Sequence, residues 1–177
     1  DSLIAALNAN KVDMVISGVN PTEERKKAVD FSDVYYTSKG IFVVNKDSEE
    51  IKSVADLKNK KIGVQKGSTY ETYAKEQLKM DDKNIQALTD VPSLLQDLKN
   101  KKIDAVLIPD DVAKIAMNKY TDIKISTFTA DNDPEATGMA IAFKKGKNDS
   151  NKELLEQVNA VIKEIQDQKA FEKELDK

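Results

Sequence analysis

With 177 residues, 40 % of them hydrophobic, the chain is long enough for one ordinary domain or for two small lobes sharing a chain. Its 28 basic and 31 acidic residues leave a formal charge of −3 and are spread along the chain, so no positive face gathers for a phosphate backbone and no nucleic-acid partner is expected. The absence of histidine and cysteine removes imidazole bases, thiol nucleophiles, disulfides and thiolate metal sites, and no catalytic residue, metal or cofactor is expected.

The opening DSLIAALNANK lacks the basic flank and long apolar core of a signal peptide, and no apolar run approaches the roughly 20 residues of a membrane helix. If the protein is exported, its signal is expected outside these residues. Residues 1–17, DSLIAALNANKVDMVIS, are repeated 91 positions later as PSLLQDLKNKKIDAVLI at 92–108. Ser2, Leu3, Ile4, Leu7, Lys11, Val12, Asp13, Val15 and Ile16 meet Ser93, Leu94, Leu95, Leu98, Lys102, Ile103, Asp104, Val106 and Leu107. Each copy passes from apolar residues at helical spacing, through a Lys/Asn turn, to a β-branched run of strand length. Two such αβ units predict two similar α/β lobes whose parallel strands end at facing edges. Ligands of open α/β sheets bind at the carboxyl edges, so the segments after Ile16 and Leu107 are expected to line one cleft.

Between the copies, GIFVVN at 40–45 reads as a strand crossing between lobes, VADLKNK as a short helix and KIGVQ at 61–65 as a buried strand. GSTYETYAKEQL at 67–78 reads as a turn and helix, IKISTF as a strand, and MAIAF at 139–143 as a strand recrossing between lobes. From Asn151 an amphipathic helix carries Leu154, Leu155, Val158, Val161, Ile162 and Ile165 on one stripe, with Ser150 and Glu153 spaced as a capping box.

Three stretches could carry chemistry. After the first repeat come Ser17, Gly18, Val19, Asn20 and Pro21, where small residues let backbone N–H groups approach a ligand, followed by Arg25. Arg25 either offers its planar fork to a carboxylate or pairs with Glu24 or Asp30 at the surface, with Thr22 capping a helical turn. Gly67, Ser68 and Thr69 precede a helix whose free N–H groups attract anions, although Ser and Thr there also serve as ordinary caps. Pro109, Asp110 and Asp111 follow the second repeat: a carboxylate there could take an ammonium, and acidic residues also simply suit a helix start. Tyr35 and Tyr36 could form an aromatic wall or pack, and Lys144–Lys145–Gly146–Lys147 reads as a solvated turn.

VDMVISGVNPTEERKKAVDFSDVYY, KKIGVQKGSTYETYA, KKIDAVLIPDDVAKIA and ATGMAIAFKKG resemble, in order and over essentially the whole chain, the family 3 solute-binding proteins of polar amino-acid ABC transporters. The resemblance implies an α/β, two-lobed type II periplasmic-binding-protein fold, with lobe 1 formed by 1–44 and 133–177 and a complete lobe 2 at 45–132. It implies that Ser17, Gly18, Asn20 and Arg25 hold the α-carboxylate of an amino acid, joined by Ser68 and Thr69, with Gln65 beside the ligand's side chain. Two departures stand out. The family acid that answers the ammonium falls on Pro109, leaving Asp110 to take the role through a local shift, and the chain starts after the family's first strand, helix and strand, so lobe 1 is expected to be incomplete. The missing part is then expected in trans, by exchange between subunits of a homo-oligomer, or this is a deliberately cut piece. Further implications are a membrane permease as partner, an extracytoplasmic location in the periplasm or as an anchored lipoprotein, and hinge closure near Val44–Lys46 and Thr129–Thr137. The alternatives are the sensing domain of a membrane kinase or channel and, on the same fold, a dehydratase using Asp110 as acid.

Overall fold

The computed structural model describes residues 2–130, 137–146 and 149–168. The chain divides into two units, Asp1–Thr37 with Thr137–Lys177, and Ser38–Ala136. Among the described residues no helix is long and apolar enough to cross a membrane.

In the first unit α1 (Ser2–Asn8) leads to β1 (Met14–Val15), and α2 (Glu23–Ala28) leads directly into β2 (Val29–Thr37). After the second unit the chain returns as β8 (Gly138–Lys144) and α6 (Asp149–Asp167). The sheet order is β1-β8-β2, with both pairings antiparallel. This departs from the parallel lobe expected from the repeat, because the strand beside β1 is the returning β8. That strand was predicted to recross between lobes; it lies at the centre of this sheet. Its alternating side chains serve two cores: Ala142 joins Leu7, Val15, Val19 and Val29, whereas Ile141 and Phe143 join Ile162 of α6.

The second unit contains β3 (Gly40–Asn45), β4 (Ile62–Gln65), α3 (Thr69–Glu76), β5 (Ile85–Leu88), α4 (Val91–Lys99), β6 (Ala105–Pro109), α5 (Asp110–Lys119) and β7 (Ile123–Ala130). The predicted helix at VADLKNK is one 3-10 turn, Val54–Leu57. Strand order is β5-β4-β6-β3-β7, with β5, β4 and β6 parallel and β3 antiparallel to both its neighbours. Phe42, Val44, Ala105 and Leu107 face one core, and Ile41, Val43, Val106 and Ile108 the other. A sheet covered on both faces needs the unbroken apolar runs GIFVV and AVLI rather than alternation.

The first boundary is expected after residue 44. The structure puts it after Thr37, because β3 is hydrogen-bonded on both edges within the second unit and Val44 is 1 % exposed. The expected second boundary, 132/133, lies outside the described residues.

The repeat is visible in the backbone. Asn10 and Lys101, 91 positions apart, both have φ of 57°. Each stops a helix in the same way: Asn10 N–H donates to Leu7 O and Lys11 N–H to Ala6 O, as Lys101 does to Leu98 O and Lys102 to Asp97 O. This double bond pattern with a left-handed residue satisfies carbonyls that a helix end otherwise leaves bare.

Candidate functional site

In the first unit, the turn after β1 is stitched to its surroundings at several points. Ser17 O accepts from Val19 N–H at 2.7 Å and from the Tyr35 hydroxyl at 2.8 Å. Tyr35 therefore ties down the turn and packs against the α6 core rather than offering a wall. Val19 O accepts from Ala140 N–H of β8 at 3.0 Å. Gly18 is exposed and has no positive φ, and a methyl group there would only touch Met139 at 3.7 Å, so folding alone does not require glycine.

Asn20 is only 8 % exposed, and its amide Nδ2 donates to Gly138 O at 2.7 Å. Its own carbonyl accepts from Thr22 N–H at 3.0 Å and from Arg25 Nη1 at 3.2 Å. Thr22 caps α2, its Oγ1 accepting from Arg25 N–H at 3.2 Å. Lys145 donates its ammonium to Lys26 O and Lys27 O at the other end of that helix, and Lys144 reaches Asn10 Oδ1 at 2.7 Å. The predicted solvated turn is thus in part a clasp on the helix that carries Arg25; Lys147 lies outside the described residues. Arg25, the single arginine of the chain, is half-buried. Burial lowers its pKa from the ordinary value, and the charge of Glu24 opposes that shift.

In the second unit Gln65 closes β4, exposed, with Nε2 donating to Thr89 O at 3.2 Å. Gly67 has φ of 71°, a left-handed turn that favours glycine, and its N–H donates to Glu71 Oε2 at 2.8 Å. The Ser68 hydroxyl caps α3, accepting from Glu71 N–H at 3.3 Å and donating to Gln65 O at 2.6 Å. Thr69 follows as the first residue of α3, half-buried. The helix start expected to attract an anion already faces the Glu71 carboxylate, which Lys75 pairs at 2.9 Å. Lys75, helped by the Gly67 N–H, holds the Glu71 pKa below the usual glutamate value.

Asp110 begins α5 at the end of β6. Its Oδ1 accepts from Lys39 N–H and its Oδ2 from Lys114 Nζ, each at 3.0 Å. Lys114 is 69 % exposed and Asp110 23 %, so the ammonium end of this pair faces water while the carboxylate is largely covered. Asp111 carries a feature that its reading as a plain helix-start residue did not anticipate: Oδ1 is buried and has no hydrogen-bond partner among the described residues. Tyr70, buried nearby, has its phenol pushed up to about 12, chiefly by burial, with the charges of Asp111 and Asp110 acting in the same direction. Among the described residues no group of three acidic side chains could hold a metal ion.

All 177 residues match the profile of the bacterial extracellular solute-binding proteins, family 3. The chain belongs to this family. It is 40 % identical over 178 residues to the arginine-binding extracellular protein ArtP of Bacillus subtilis, covering 98 % of this chain and 65 % of that one. To the L-cystine-binding protein TcyJ of Escherichia coli it is 35 % identical, over 94 % of this chain and 59 % of the relative. The chain thus spans about three fifths to two thirds of the length of these relatives. Among solved structures, a Streptococcus pneumoniae amino acid ABC transporter substrate-binding protein, AbpA, bound to L-arginine, superposes with a TM-score of 0.87 at 35 % identity. The match covers 99 % of this family member and 71 % of that chain. The fold is that of the type II periplasmic binding proteins, with this chain covering about 70 % of such neighbours.

Proposed function

We propose that this family member is the substrate-binding component of an amino-acid ABC importer, binding a polar amino acid and handing it unchanged to a membrane permease. The observation that carries the reading is Arg25: a single guanidinium, partly desolvated, capped and clasped on a six-residue helix beside an exposed glycine turn. A planar fork in such surroundings suits a carboxylate, and desolvation strengthens the pair. In this reading the ligand's α-carboxylate meets Arg25 and the backbone at Ser17 and Gly18. Ser68 and Thr69 add hydroxyls, Gln65 lies beside the ligand's side chain, and Asp110 takes the ammonium by displacing Lys114. Loss of any one partner would leave a buried polar group unanswered, so all are needed for affinity.

Arginine heads the candidate ligands, since several relatives are named for arginine binding and AbpA is an arginine complex. The family model is one of extracellular proteins, which supports an extracytoplasmic placement, in the periplasm or lipid-anchored. Equilibrium dialysis against L-arginine, L-lysine, L-histidine, L-glutamine and L-cystine, with mass spectrometry of the recovered ligand, tests the reading. Saturable binding of at least one, recovered intact, is the expected result; chemical conversion would instead establish an enzyme.

A further inference from the structure

Asn20 is placed by resemblance among the residues that touch the ligand, yet its side chain is occupied elsewhere. The amide is buried, 8 % exposed, and spans 118 positions to donate to Gly138 O at 2.7 Å. The carbonyl of the same residue accepts from Arg25 Nη1 at 3.2 Å, and it shares that role with Thr22 N–H at 3.0 Å. Gly138 opens the central strand of the first unit's sheet and pairs with Thr37. The carbonyl that receives the guanidinium is therefore fixed to the sheet through the side chain of its own residue. A half-buried arginine has several rotatable bonds, and pre-setting its fork reduces the ordering cost of every hydrogen bond it later makes.

We infer that Asn20 is a positioning residue for Arg25: its amide pins the turn to Gly138 so that its main-chain carbonyl holds the guanidinium in the orientation that receives the ligand's carboxylate. The inference rests on the reading of Arg25 as the carboxylate partner. Asn20 then sets affinity for carboxylate-bearing ligands without contacting them through its side chain.

Because Arg25 is the single arginine, arginine-selective 15N labelling gives one set of guanidinium signals. In the wild type, restrained rotation is expected to keep the Nη signals separate; in Asn20→Ala they are expected to merge while the melting transition remains cooperative. Should the alanine variant fail to fold, Asn20→Ser, too short to reach Gly138, carries the same test. Titration of L-arginine supplies the second readout, with at least about tenfold weaker binding expected in Asn20→Ala. Unchanged guanidinium signals and unchanged affinity in a folded Asn20 variant would overturn the inference. Undiminished L-arginine binding in Arg25→Ala would overturn the carboxylate reading itself, and the pin would then be judged by the guanidinium signals alone.

Discussion

A single methyl group added at Gly40 tests the packing of the second unit. An alanine Cβ there would lie 2.5 Å from Tyr70 Cε1 and 2.9 Å from Ala130 Cβ, well inside contact distance. Neither neighbour can step aside easily, since Tyr70 is 6 % exposed and Ala130 1 %. Overpacking of this kind costs about 1–3 kcal/mol, whereas replacing glycine by alanine returns about 0.4–1 kcal/mol by stiffening the unfolded chain. The net loss is about 1.5 kcal/mol, which for a unit of roughly 100 residues lowers the melting point by roughly 6–12 °C. Urea unfolding followed by far-UV circular dichroism measures it. The displaced phenol of Tyr70, now held up to about 12 mainly by burial, should also titrate lower. In Gly40→Ala with Tyr70→Leu, the double variant should lose less than the sum of the two single losses. A Gly40→Ala protein as stable as the wild type would refute the reasoning.

Gly67→Ala, at φ of 71°, should lose about 1–2 kcal/mol in the same unfolding assay, because an L side chain is strained in the left-handed region. Gly18→Ala should unfold within about 0.5 kcal/mol of the wild type yet bind its amino acid more weakly, since the added Cβ would meet only Met139 among the described residues; a full-strength binder would remove Gly18 from the site. The lowered pKa of Glu71 means that its contribution is fully present above the ordinary glutamate pKa of about 4.3 and is lost as pH falls through the lower folded value. Glu71→Gln should therefore flatten the acid limb of stability against pH, and an unchanged limb would show that the Lys75 and Gly67 contacts contribute nothing.

Much of this was legible in the amino-acid order. The 91-residue repeat located both helix–strand units, and apolar runs marked the strands buried on both faces. The left-handed stops at Asn10 and Lys101 were not anticipated, because a non-glycine residue gives little local sign of positive φ. The strand Val29–Thr37 also escaped notice, since bulges between Phe31 and Val34 and again between Val34 and Tyr36 break the period-two pattern. The tail helix begins at Asp149, ahead of the predicted cap at Ser150, and Val161 on its stripe is 54 % exposed. At the candidate site the sequence named segments but not the direction of each side chain. Whether Asn20 points outward or back to Gly138, and whether Ser68 serves a ligand or caps its own helix, depends on contacts 118 residues apart in one case and three in the other.

The most direct measurement is the melting temperature of the chain with and without millimolar L-arginine and the other polar amino acids, in the wild type and in Arg25→Lys. A ligand that binds only the folded state must raise the midpoint, by about 2.7 kcal/mol of stability at a hundredfold excess over its dissociation constant. The account predicts a rise for at least one amino acid that is largely lost in the lysine variant, whose point charge cannot replace the planar fork. An equal rise in both proteins would contradict it.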